Sequence, residues 1–308
     1  MHKLHFYYHT LRYLKPIQII GRLWFNIYKP RPEEKPAPGK RVIEKEFVAP
    51  CQRKQSLFSP SEFIFLNQKA NIADPQDWNN PSLKKLWLYN LHYFDDLNAV
   101  EAHKRSAWHK QLIERWVREN PPGFGNGWEP YPLSLRIVNW IKWLLQGHEA
   151  SQEMLQSLAV QAGYLFKRME FHLLGNHLLA NAKALVFAGL FFQGAEADRW
   201  YKRGMRVLRK QFEEQILPDG GHFERSPMYH LLVLEDLSDL INLHGSYSYK
   251  YPDTWEECLG DMLTWSLIMR HPDGGIPFFN DAAFGVAPSP DELDCYVKRL
   301  RISAENPG

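Results

Sequence analysis

The sequence predicts an all-α fold, a complete or incomplete (α/α) toroid of helical hairpins preceded by an N-terminal helix and an extended arm. Three observations carry this. From about residue 86 onward, stretches of helical periodicity alternate with loops rich in Gly, Pro, Asp and Asn, and nowhere do apolar and polar residues alternate long enough to demand a sheet. The segment LLANAKALVFAGLFF (178–192) is apolar almost all round, whereas 196–216 carries a broad charged face, which is the contrast between an inner and an outer helix layer. Finally, LPDGGHF (217–223) and HPDGGIPFF (271–279) each follow a charged helix and start 54 residues apart. That echo fits one hairpin per ~50 residues, and the irregular Gly-rich connections favour a toroid over an open solenoid.

In chain order, residues 5–28 read as one amphipathic helix, and KPRPEEKPAPGK (29–40) as a linker or wrapping arm. Helices are expected over 103–119, 131–147, 151–171, 177–193, 196–216, 228–243 and 254–270. The expected organisation is an N-terminal helix and Pro-rich arm over 1–60, a toroid domain over 61–300 and a tail over 301–308.

With 308 residues, 44% of them apolar and 23% charged, the chain can bury a sizeable core, which excludes general disorder. A net charge of +2 lacks the dense basic face of a nucleic-acid binder. No run of ~18 apolar residues suggests a membrane span. Cys51, Cys258 and Cys295 are odd in number and widely spaced, which points to free thiols and away from a disulfide framework or zinc site. The N-terminus mixes aromatics with Lys, Arg and His and lacks the apolar core of a signal peptide.

Two segments point to chemistry. In ERSPMYH (224–230), Ser226 suits an N-cap, Pro227 the first helical position, and Tyr229 then falls in the first turn. In EFHLLGNHLLANAKAL (170–185), Gly175 is read as ending one helix and Asn176–His177 as opening the next. Two converging helix starts make a seat for a carboxylate. Asn176 can donate to it, while His177 and Tyr229 can take and return protons. That set suits β-elimination at a uronate, where the carboxylate must be neutralised before the C5 proton leaves. A Tyr base would need a cationic neighbour, and Arg225 is adjacent in sequence. By residue type alone, the plainer reading, a capping Asn, a part-buried His and a core Tyr, comes ahead of the catalytic one.

Further candidates are Trp128, Tyr131 and Arg136 for stacking on sugars or clamping an anion, Asn280 and Asp281 after a Gly-rich loop, and His222, Glu224, Arg225 and His230 flanking Tyr229. A glycoside hydrolase would draw on Glu129, Asp219, Glu224, Asp273 or Asp281, with nothing to fix the pair. HExxH, P-loop, GxGxxG and GxSxG patterns are absent from the sequence, which argues against zinc proteases, nucleotide enzymes and serine hydrolases.

NLHYFDDL (90–97), GNGWEPYPLSLRIVNW (125–140), HLLGNHLLANAKALVFAGLFF (172–192), DGGHFERSPMYH (219–230) and PDGGIPFFND (272–281), taken in order, resemble the N-terminal toroid of the heparinase II/III family over roughly residues 86–285. The resemblance implies a cofactor-independent polysaccharide lyase acting on acidic, uronate-containing glycans such as heparan sulfate-like, alginate-like or bacterial exopolysaccharides. It implies that Asn176 neutralises the uronate carboxylate, that His177 binds it or acts as base, and that Tyr229 is the acid or acid/base. It also implies a periplasmic or secreted location, whereas the N-terminus, without a clear signal peptide, leaves a cytoplasmic one open. In the family pattern a β-sandwich with a further His follows the toroid, so this chain reads as the toroid half, with such a domain separate or missing. The alternatives are a hydrolase on the same fold and a non-catalytic glycan-binding or exopolysaccharide-biosynthesis protein.

Overall fold

A computed structural model describes residues 14–301 together with His9 and Arg12. The first part of the expected 5–28 helix and residues 302–308 lie outside the described residues; within them, helix α1 spans Pro16–Ile27. After an arm without regular structure come a two-stranded antiparallel hairpin, β1 (Glu62–Phe65) and β2 (Gln68–Asn71), and then α2 (Lys85–Tyr93), α3 (Ser106–Glu119), α4 (Pro130–Leu145), α5 (Gln152–Arg168), α6 (Gly175–Phe191), α7 (Ala195–Gln215), α8 (Pro227–Ser246), α9 (Thr254–Ile268) and α10 (Pro290–Arg299). The seven expected helices are all present, with ends displaced by a few residues. The hairpin, α2 and α10 were not expected; each is short, and a four-residue strand offers too few positions for alternation to register.

The fold is an α/α toroid. Inner helices α2, α4, α6, α8 and α10 pack side by side, each against the next inner one, while α3, α5, α7 and α9 lie outside them. Burial follows the sequence pattern: nearly every residue of α6 is buried, whereas α7 buries a stripe of Ala197, Trp200, Gly204, Val207, Leu208, Gln211 and Phe212 under a charged outer face. α6 and α7 meet at close range because glycines stand at the contact. A Cβ on Gly204 would lie 2.7 Å from the Ala182 carbonyl oxygen, and one on Gly189 would lie 2.6 Å from the Tyr201 nitrogen.

The echoed DGG segments are the same turn. In one, Asp219 Oδ1 accepts from Gly221 N (3.0 Å) and Leu217 N donates to Gly221 O (2.8 Å); in the other, Asp273 Oδ1 accepts from Gly275 N (2.8 Å) and His271 N donates to Gly275 O (3.0 Å). Gly220 and Gly274 both have φ near +80°, a conformation that favours glycine.

The arm crosses the ends of the inner helices. Arg41 N donates to Phe191 O, Glu44 N to Ser246 O and Val48 N to Asn242 Oδ1, and the arm contributes Phe47, Cys51 and Leu57 to the core. Between the inner helices lies a buried charge network. Asp239 Oδ2 takes Lys142 Nζ and Lys183 Nζ at 2.5 Å each, Asp239 Oδ1 accepts from Tyr296 Oη at 3.0 Å, Lys183 also reaches Asp236 (2.7 Å), and Arg53 from the arm reaches Glu235 (2.6 Å). Replacing one member would strand the others, so this network fixes the register of α4, α6, α8 and the arm. The three cysteines are free. Among the described residues no helix is long and apolar enough to cross a membrane.

Candidate active site at two helix starts

The start of α8 is built as its sequence dictates. The Ser226 hydroxyl accepts the Tyr229 N–H at 3.5 Å, Pro227 stands where no N–H is needed, and Tyr229 lies half-buried in the first turn. The start of α6 differs from expectation. α5 ends at Arg168, a turn occupies 169–174, and Gly175 opens α6 with φ +52°. Gly175 therefore does not end the preceding helix; it lets the chain enter α6 from Leu174, itself held at φ +63° and ψ −156°. A leucine in that region costs on the order of 1–3 kcal/mol, and such strain gathers where a loop must hold a set shape.

The two starts meet. Glu224, just before α8, brings Oε1 within 3.7 Å of where a Cβ on Gly175 would stand. Asn176 and His177 follow directly, both half-buried. The His177 ring lies 4.4 Å from that of Tyr131 at the start of α4, and Tyr131 in turn is close enough to Tyr229 to feel its charge. The loop after α9 closes this side: Asn280 Nδ2 donates to Arg225 O at 3.1 Å, and Asp281 lies near enough for its charge to act on both Glu224 and Tyr229. Arg225, Asn280 and Asp281 all have positive φ, so the mouth is lined by backbone held in the left-handed region. Of the predicted residues, Asn176, His177, Tyr229, Tyr131, Glu224, Arg225, Asn280 and Asp281 are thus brought together.

The remaining predictions are corrected. Trp128 is buried, with its ring 5.9 Å from that of Trp116 and its Nε1 donating to Asn120 O, so it offers no face to a sugar. Arg136 is fully buried; it lies 3.8 Å over the Trp116 ring and donates to Gln161 Oε1, His92 O and Gly127 O. With its donors spent in the core it clamps no anion. His230 is fully buried, bonded to Met262 O with its ring 4.3 Å from that of Trp265, and His222 is buried beside Gln215 and behind Tyr229. Both are packing residues, and burial lowers each to about 4, which keeps them neutral. Among the hydrolase candidates, Asp219 and Asp273 are spent in turns, and Glu129 accepts from Tyr89 and pairs with Lys85.

Sequence reasoning missed Glu170 and Asn181. Glu170 Oε2 lies 3.3 Å from His177 Nδ1, out of line for a hydrogen bond, so this contact is electrostatic. Asn181, one turn beyond His177 on α6, holds Glu170: its Oδ1 accepts Glu170 N at 2.7 Å, and its Nδ2 donates to Glu170 Oε2 (3.1 Å) and Ser134 Oγ (3.0 Å). The signal was present in the sequence, because beyond its first turn the inner helix is apolar except for Asn181 and Lys183, and buried polar groups need partners.

Electrostatics distinguish the phenol from the imidazole. Burial, then the charges of Glu224 and Asp281, push the Tyr229 phenol above its ordinary value. Among the described residues no cation offsets this, so Tyr229 starts protonated. Arg225, adjacent in sequence, is exposed and does not act on it. His177 has a carboxylate behind Nδ1, which orients Nε2 away from Glu170. Among the described residues no group of three or more His, Cys, Asp or Glu side chains could hold a metal ion.

Comparison with known proteins sets this site in context. The family described as heparinase II/III N-terminus matches residues 74–289. The heparin-sulfate lyase of Bacteroides stercoris is 25% identical over 221 residues, 61% of this chain and 32% of that protein. FtsZ-localized protein C of Caulobacter vibrioides is 26% identical over 220 residues, 68% of this chain and 36% of that one. The crystal structure of heparinase III shares the fold with a TM-score of 0.59 at 17% identity, over 97% of this chain and 50% of that chain. The chain thus spans about a third of the length of these curated relatives.

Proposed function

The chain belongs to the heparinase II/III family, and from that premise we propose that it is a polysaccharide lyase region that cleaves uronate-containing glycans by β-elimination at the paired starts of α6 and α8. The observation that supports this is the approach of the two helix starts, with Glu224 Oε1 3.7 Å from where a Cβ on Gly175 would stand and the Tyr131 ring beside that of His177. Asn176 and the first N–H groups of α6 receive the uronate carboxylate. His177 Nε2 takes the C5 proton, with Glu170 supporting the imidazolium. The C4–O4 bond breaks, the C4–C5 double bond forms, and the Tyr229 hydroxyl gives its proton to O4. Solvent then reprotonates the phenolate and receives the proton from the imidazolium. Tyr131 packs the imidazole in place. A periplasmic or secreted location, where such glycans are met, belongs to the same proposal.

The test is to incubate the chain with heparan sulfate, alginate and other polyuronates and follow ultraviolet absorbance of the conjugated double bond. Absorbance that rises with the native chain and not with Tyr229→Phe supports the reading. Chain shortening without absorbance would overturn it in favour of hydrolysis. The alternative reading is a non-catalytic glycan-binding module. Binding without cleavage in the same assay would establish it.

A further inference from the structure

α1 is divided lengthwise into three strips. One strip docks: a Cβ on Gly21 would lie 3.1 Å from His172 N, the Phe25 ring lies 4.2 Å from that of His172, and Arg168 donates to the Phe25 and Tyr28 carbonyls while lying over the Phe25 ring. A second strip carries Lys15, which pairs with Glu214, together with Arg22 and Asn26, all exposed. The third carries Ile17, Ile20, Leu23, Trp24 and Ile27, every one exposed, with Ile20 at 66%, Trp24 at 59% and Ile27 at 78%. At 100° per residue, positions 17, 20, 24 and 27 form a continuous apolar ridge. No residue of this helix is buried. A ridge of five large side chains left bare, on a helix pinned by its other side, is a surface made to be covered.

Charge selects what covers it. Residues 1–32 carry Lys3, Arg12, Lys15, Arg22, Lys29 and Arg31 and not one Asp or Glu. Two copies of the chain meeting ridge to ridge would bring two such cationic segments together, which opposes self-association. An anionic lipid surface takes both features at once: the ridge enters the headgroup and acyl boundary, Trp24 suits the interface, and the flanking Lys and Arg reach the lipid phosphates.

We propose that α1 lies flat in the surface of an anionic membrane and holds the toroid against it, without crossing the bilayer. The test is flotation of the full chain with vesicles of phosphatidylcholine, alone or mixed with phosphatidylglycerol. Recovery with the phosphatidylglycerol vesicles is expected, falling at high salt and falling further for the triple substitution Ile20→Asn/Trp24→Asn/Ile27→Asn. These positions are exposed, so circular dichroism and sedimentation should show the variant folded. Arg22→Gln should weaken partitioning roughly fivefold. Undiminished flotation of the triple variant, equal flotation on neutral vesicles, failure of the native chain to float, or a native dimer that the triple variant converts to monomer would each overturn the proposal.

Discussion

Lowering the pH from 7 to 5 should remove several kcal/mol of stability, because four histidines are held neutral in the core. His92 accepts the Trp116 indole N–H on Nδ1 and bonds Trp78 O through Nε2, so it has no room for a second proton; Arg136 lies beside it, and burial followed by that charge lowers it to about 3. His230 and His222 each leave Nδ1 buried without a partner, and His244 lies between Leu240 O and Tyr201 Oη; burial lowers all three to about 4. The sign follows from linkage. For a base whose folded value is depressed, the unfolded chain binds the proton first, so stability is complete above about 6.5 and falls as the pH drops from there towards 4. At pH 5 each such group contributes a loss of up to about 2 kcal/mol, roughly 8 kcal/mol for four. Even half of that is comparable to the ~5–15 kcal/mol stability of a typical domain. Urea unfolding at pH 7, 6, 5.5 and 5, followed by tryptophan fluorescence, measures this directly. A slope below about 1.4 kcal/mol per pH unit between 6 and 5 corresponds to uptake of fewer than one proton and would refute the reasoning.

Four further outcomes are expected. Asp239→Ala leaves two buried ammonium groups without their shared carboxylate and should cost about 3–5 kcal/mol in denaturant unfolding, if the variant folds at all. Tyr229→Phe should leave stability within ~1 kcal/mol, since the side chain is only half-buried at a helix start, and lower kcat by roughly 10²–10⁴-fold where elimination is observed. Glu170→Gln should reduce kcat about 10–100-fold with KM little changed, and ¹⁵N spectra of His177 should show a changed tautomer balance, a readout that loss of packing alone would not give. Glu224→Gln removes a negative charge from the mouth; it should lower KM for a polyanion and move the Tyr229 ionisation, read by ultraviolet titration, downward.

The helices were legible because each long element repeats its apolar positions at helical spacing and is bounded by Gly, Pro or Ser, as at Ser226–Pro227. The DGG echo was legible because one turn geometry demands an Asp, whose carboxylate caps it, and a glycine at φ near +80°. Burial of individual polar residues was not legible. Arg136 and His230 sit in motifs with the composition of a binding loop, but their orientation depends on the helical phase relative to neighbours far away in sequence. Trp116, which stacks under Arg136, lies twenty residues upstream, and Met262, which binds His230, lies thirty-two downstream. Spacing fixes only which residues share a helix face. Which face turns inward is fixed by packing.

The sign of the charge around Tyr229 bears directly on which group removes the C5 proton. A phenol acting as base must be ionised before the substrate arrives, and that requires a cation beside it. Here its charged neighbours are the carboxylates of Glu224 and Asp281, and both oppose ionisation. An imidazole acting as base must be neutral at the start and gains from a carboxylate that supports the cation it becomes. Glu170 is placed to do that, fixed by a buried amide on the same helix as His177. The two halves of the proposed site therefore differ in where their carboxylates stand: Glu170 lies behind Nδ1 of the imidazole at the α6 start, whereas Glu224 and Asp281 hold the phenol at the α8 start protonated until a leaving oxygen needs it. That division follows from which carboxylates fold against which helix, and it would reverse only if a cation entered beside Tyr229.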